Sequence, residues 1–176
     1  AYVKFIHAYA GKTPALTAGA GPAMFLFVND TSKRLNGNIA LNAFSFATFG
    51  GQFPARSNAA ANNTSTYAVL PAGASTVYGV LARLVSGAPV SNPGDTVFKA
   101  PVNLEPGKYY TAFFGDTLQN PSLTVVPDNF GEIPERTYKI RLANFLAWPG
   151  DIHELYSTRE GKVIQGNIGY KQVGDF

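Results

Sequence analysis

Proline and glycine interrupt this chain almost everywhere: 12 Pro and 18 Gly are spread over 176 residues, and few stretches run three helical turns without one. Proline inside a helix removes a hydrogen bond and clashes with the preceding turn, and interior glycine costs about 1 kcal/mol relative to alanine. Helices are therefore largely excluded. Between the breakers lie short runs of apolar, aromatic and β-branched residues, which read as strands bounded by turns. Residues 138–144 alternate cleanly, with Tyr138, Ile140 and Leu142 on one face and Lys139 and Arg141 on the other. That pattern suits an antiparallel strand wet on one side. Further strands are predicted over 2–8, 24–29, 38–48, 66–70, 75–85, 96–100, 108–115, 122–127, 152–157, 162–167 and 170–173. Pro71-Ala72-Gly73 and Pro106-Gly107 supply turns before strands. So many short strands predict a β-sandwich.

Composition narrows the function classes. With 45% hydrophobic residues, 13 Phe, 9 Tyr and a formal net charge of +3, the chain is no self-repelling disordered polymer. No apolar run approaches the ~20 residues of a membrane helix. The 14 basic residues are scattered, with Lys33-Arg34 the one adjacent pair, so no nucleic-acid stripe is expected. Cysteine is absent, which excludes disulfides, zinc-thiolate sites, iron–sulfur clusters and a cysteine nucleophile. The chain opens Ala1-Tyr2-Val3, with neither an initiator Met nor a signal peptide. A processed N-terminus and a location outside the cytoplasm are expected.

An internal repeat organises the pattern. Val3-Lys4-Phe5-Ile6-His7 parallels Ile140-Arg141-Leu142-Ala143-Asn144 at an offset of 137. Farther on, Asn38-Ile39-Ala40 parallels Asn167-Ile168-Gly169, and 46–50 parallels 170–174. Nothing in the second copy matches 67–127. The reading is a first sandwich over 1–130, a linker over 131–137, and an incomplete second unit over 138–176. That second unit packs on the first or is completed by another chain.

Several of these residues resemble one family. Tyr2-Val3-Lys4-Phe5-Ile6-His7-Ala8 is similar to the opening of the DUF4397 domain family, and Pro71-Ala72-Gly73 falls where that family has its Pro-Ala-Gly turn. The run 106–115, containing Tyr109-Tyr110-Thr111, resembles its Gly-x-Tyr-Tyr-Thr signature, and 123–128 resembles the close that ends in Asp128. Ile140-Arg141-Leu142-Ala143-Asn144 looks like the start of a second copy, and 169–176 like the aromatic segment of bacterial envelope members. The family's Ser-Pro-Asp-Ala-Pro turn is missing after His7, with an echo only at Trp148-Pro149-Gly150-Asp151. The resemblance implies an immunoglobulin-like antiparallel β-sandwich on a secreted or lipid-anchored bacterial protein. It implies no chemistry.

Catalytic constellations are not evident. His7 and Asn144 are repeat equivalents, and an amide cannot serve as a general base; both are expected to anchor turns by hydrogen bonding. His153 reads as exposed strand polarity. Gly-x-Ser-x-Gly and Ser-x-x-Lys motifs are missing, and nothing pairs two carboxylates by spacing. Ser86-Gly87 and Ser91-Asn92 read as turn residues in a proline-flanked loop. Residues 128–132 read as an Asx-type turn, without the Asp/Asn register of a calcium loop. No metal and no cofactor are expected.

The aromatic residues carry what remains. Tyr109-Tyr110 and Phe113-Phe114 put rings on both sides of one strand. Either both faces are covered, here by neighbouring β-structure, or one is an exposed interface patch. The expected function is a non-enzymatic cell-surface or extracellular module acting by protein–protein contact in an envelope assembly, adhesin or filament. Its partners would be other surface proteins or copies of itself. The alternative is a carbohydrate-binding module. The candidate interface or sugar-stacking residues are Tyr109, Tyr110, Phe113, Phe114, Trp148 and Tyr170.

Overall fold

The structure is a computed structural model, and it describes residues 1–8, 24–34, 52–53, 67–85, 88–117, 120–137, 139–145 and 152–176. Among these the architecture is all-β. The first sheet joins β1 (Tyr2–His7), β4 (Gln52–Phe53), β5 (Ala68–Val69), β8 (Tyr109–Thr117) and β9 (Asn120–Pro127), in the order β4-β1-β8-β9 with β5 also on β1. The second has the order β3-β2-β6-β7, from β2 (Met24–Val28), β3 (Asp30–Arg34), β6 (Gly73–Val85) and β7 (Ala88–Leu104). The expected strand at 38–48 lies outside the described residues.

Alternation builds the core between the two sheets. Val3 and Phe5 of β1 and Tyr110, Ala112 and Phe114 of β8 meet Leu26 of β2, Val77 of β6, and Phe98 and Leu104 of β7. The rings of Phe98 and Phe114 stack across the interface with centroids 5.0 Å apart. Residues from both sheets thus enclose one apolar layer, the defining feature of a sandwich.

Three local features differ from expectation. The β1–β8 pair is parallel, because the chain returns to β1 only after crossing the whole second sheet. Residues 88–104, expected to be partly loop, form one continuous strand despite Pro89, Pro93 and Pro101. Among the described residues β7 pairs with β6 alone, so the missing proline N–H groups can face its other edge, and register shifts along the pair absorb the irregularity. β3 has no predicted counterpart. It follows β2 through Asn29 at φ 62, a residue type that tolerates the left-handed region. The Asn29 Oδ1 accepts the Thr76 N–H at 2.8 Å, which fixes the bend against β6.

The final segment contains β10 (Ala143–Asn144), β11 (His153–Ser157), β12 (Lys162–Ile168) and β13 (Gln172–Val173). β10 pairs antiparallel with β13, and β11 with β12. The first four strands have the same order and pairing: β1 with β4, and β2 with β3.

Candidate functional site

Strand β8 is buried on both faces. Tyr110, Ala112 and Phe114 enter the sandwich core, while Thr111 and Phe113 on the outer face are buried as well. Phe113 is covered by Phe145, from just after β10, with ring centroids 5.0 Å apart and planes inclined by 24°. A Cβ on Gly115 would sit 2.7 Å from the Phe145 ring, so only glycine admits this close approach. The expected aromatic platform is therefore corrected at three positions. Tyr110, Phe113 and Phe114 are only 8%, 6% and 3% exposed, leaving no ring face for a sugar or partner.

Tyr109 keeps 41% of its surface, but its ring stacks on Tyr2 at 4.7 Å and meets Tyr67 edge-on at 5.1 Å. Tyr170 is half-buried, with the Lys171 ammonium 5.4 Å from its ring centre. Trp148 lies outside the described residues.

Beside the Phe113–Phe145 contact lies a buried polar cluster that sequence reasoning did not find. Asp128, expected in an Asx-type turn, instead sends its carboxylate inward. It accepts hydrogen bonds from the Tyr67 hydroxyl at 2.9 Å and from the Thr111 hydroxyl, 2.9 and 2.8 Å from its two oxygens. The Arg141 guanidinium pairs with it, donates to the Pro127 carbonyl at 3.2 Å, and lies 4.2 Å from the centre of the Phe176 ring. Lys139 donates to the Phe130 carbonyl, and Phe130 packs against Phe176 with centroids 5.1 Å apart. These contacts join the end of the sandwich to the segment after the linker. The available signal was positional: Asp128 closes one family motif, and Arg141 opens the next.

Burial, and then the hydrogen bond to Asp128, raise the Tyr67 phenol well above its ordinary value of 10.0. The folded state thus holds this proton more tightly than the unfolded state. The pair contributes fully below pH ~10, and stability falls as pH rises past that value. Alkaline unfolding followed by circular dichroism between pH 9 and 12 is expected to show a steeper loss for the wild type than for Tyr67→Phe.

Asn144 is buried; its Nδ2 donates to the Ile168 carbonyl at 3.1 Å, and its own carbonyl accepts the Lys171 N–H at 2.8 Å. Its repeat partner His7 stands opposite Phe114 in the β1–β8 register. His153 is half-buried rather than exposed, and its Nε2 is enclosed without a partner. Among the described residues no three His, Cys, Asp or Glu side chains gather as a metal site. Among the described residues no helix is long and apolar enough to cross a membrane.

Among the described residues, large apolar side chains reach solvent mainly in the last segment. Ile140, Ile152, Tyr156, Val163 and Ile164 are all exposed there. Tyr156 and Val163 face each other across β11 and β12, at 55% and 44% exposure. Ile140 and Ile164 line a cleft of about 860 Å³ whose rim includes Arg136 and Arg159.

Fold and site together define a two-sheet β-sandwich with an aromatic face sealed by a partial repeat of its own first strands. The family model for DUF4397, a domain of unknown function, matches residues 1–150, and the chain belongs to that family. The match runs through the linker and includes β10, Arg141 and Phe145. No curated protein and no solved structure matches the chain.

Proposed function

We propose that this chain is a non-enzymatic module of the bacterial cell surface or extracellular space that works by protein–protein contact within an envelope assembly. The observation that supports this reading is the exposed cross-strand pair Tyr156–Val163. Apolar side chains grouped on a two-stranded sheet remain exposed to water at a cost of roughly 25 cal/mol per Å², which association removes. Tyr110, Phe113 and Phe114 are consumed by the core and by Phe145, so among the described candidates the glycan reading keeps the partly exposed Tyr109 and the half-buried Tyr170.

The test is native mass spectrometry of the protein isolated from its own source, beside the Val163→Glu variant. The wild type is expected in a complex with another polypeptide, weakened at least about tenfold by the new charge. A wild-type chain that travels alone at micromolar concentration overturns the reading.

A further inference from the structure

Main-chain N–H and C=O groups of successive residues in an extended segment point to opposite edges. In 139–144 the even-numbered residues have partners. Leu142 donates its N–H to Gln165 Oε1 at 2.5 Å, and its carbonyl accepts the Gly174 N–H at 2.8 Å. The Ile140 carbonyl accepts Gln165 Nε2 at 3.1 Å. The Gln165 carboxamide thus extends the β10–β13 ladder where the β13 backbone diverges. A Cβ on Gly174 would come 2.7 Å from Gln165 Oε1, so the chain is thinned there to admit it.

The first unit has the same layout. At the offset of 137, Ile140 and Leu142 correspond to Val3 and Phe5, and that edge of β1 is shared by two short strands. Phe5 faces Phe53 of β4, and Val3 faces Ala68 of β5. The Gln165 side chain occupies the place that β5 holds in the first unit. The opposite edge of β1 takes β8 in parallel: the Tyr2 N–H binds the Lys108 carbonyl at 2.9 Å, and the Ala8 N–H binds the Phe114 carbonyl at 2.7 Å. The corresponding edge of the second unit belongs to Lys139, Arg141 and Ala143. Among the described residues, the main-chain groups of Arg141 and Ala143 have no hydrogen-bond partner on that edge.

We propose that this edge, residues 139–143, accepts an extended strand from a partner polypeptide, running parallel to it as β8 runs along β1. The partner strand carries apolar side chains at alternate positions, because Ile140 is exposed and Leu142 half-buried beside the edge. An unpaired edge flanked by apolar side chains is the arrangement that strand addition uses, with main-chain bonds giving affinity and alternate side chains giving selectivity. This assignment rests on the reading of the chain as a protein-binding module and specifies one of its surfaces.

The probe is a synthetic peptide with the sequence of residues 108–117, the natural parallel partner of β1. Amide exchange is measured by NMR on the whole chain, with and without the peptide. Exchange at Arg141 and Ala143 is expected to slow at least about tenfold on peptide addition. The Leu142 amide, already held by Gln165, is expected to change little. A second variant, Ala143→Pro, removes the edge N–H without touching the β13 ladder and is expected to abolish the protection. Arg141 and Ala143 amides that stay fast with peptide, or an Ala143→Pro variant that binds equally, overturn the proposal. So does a dimer that Ala143→Pro dissolves, which would place a second copy on the edge. If the native complex survives Ala143→Pro but not Val163→Glu, this edge is wrong while the broader reading stands.

Discussion

Arg141→Ala is expected to lower unfolding stability by about 3–5 kcal/mol, because it leaves the Asp128 carboxylate buried without its countercharge. The Asp128 side chain has no solvent exposure and that of Arg141 only 9%, so water cannot replace the lost partner. Tyr67 and Thr111 still donate to the carboxylate, but neutral donors do not compensate a full charge. Urea unfolding followed by circular dichroism measures the shift in midpoint. The paired replacement Asp128→Leu with Arg141→Met removes both charges together and is expected to recover most of the loss. Equal destabilisation by the single and the double variant would show that packing around Phe145 and Phe176, not the ion pair, holds the segment in place.

Phe5→Ala should cost a similar ~3–5 kcal/mol through lost burial and the cavity it leaves. Phe5 is fully buried at the centre of the first sheet, opposite Ala112 of β8 on one side and Phe53 of β4 on the other. Its neighbours belong to rigid strands and can collapse only partly into the vacated space. Phe5→Leu nearly preserves the volume, and its expected loss stays below ~1.5 kcal/mol. Thermal unfolding of both variants separates the cavity effect from loss of the strand itself. A Phe5→Ala protein as stable as the wild type would contradict the core placement of β1.

How much could be read from residues alone differs between elements. Alternation placed β1, β2, β6 and β8 within a few residues of their observed limits, because a strand buried on one face imposes a period of two on its own sequence. The rings at 109–110 and 113–114 likewise required that both faces of β8 meet something. That period says nothing about what covers the second face. The cover proved to be Phe145, some thirty residues downstream and outside any alternating strand. Local rules predict a strand shorter than β7, because its prolines are strand breakers. Its edge position, a property of the sheet, is what makes them tolerable. Asp128 looked like a turn residue for the same reason. Its neighbours Asn129 and Gly131 are turn-favouring residue types, whereas its own partners Tyr67, Thr111 and Arg141 are distant in sequence.

The sequence by itself determined the all-β class and the repeated opening motif that marks the family, since both follow from short-range restrictions on backbone dihedrals and side-chain direction. Tertiary structure alone decided which aromatics are exposed, where the buried charge pair forms, and that Gln165 fills one edge of the second unit. Those outcomes depend on which distant segments come within a few ångströms of each other, and hydrogen bonding, charge pairing and exclusion of water act only at that range.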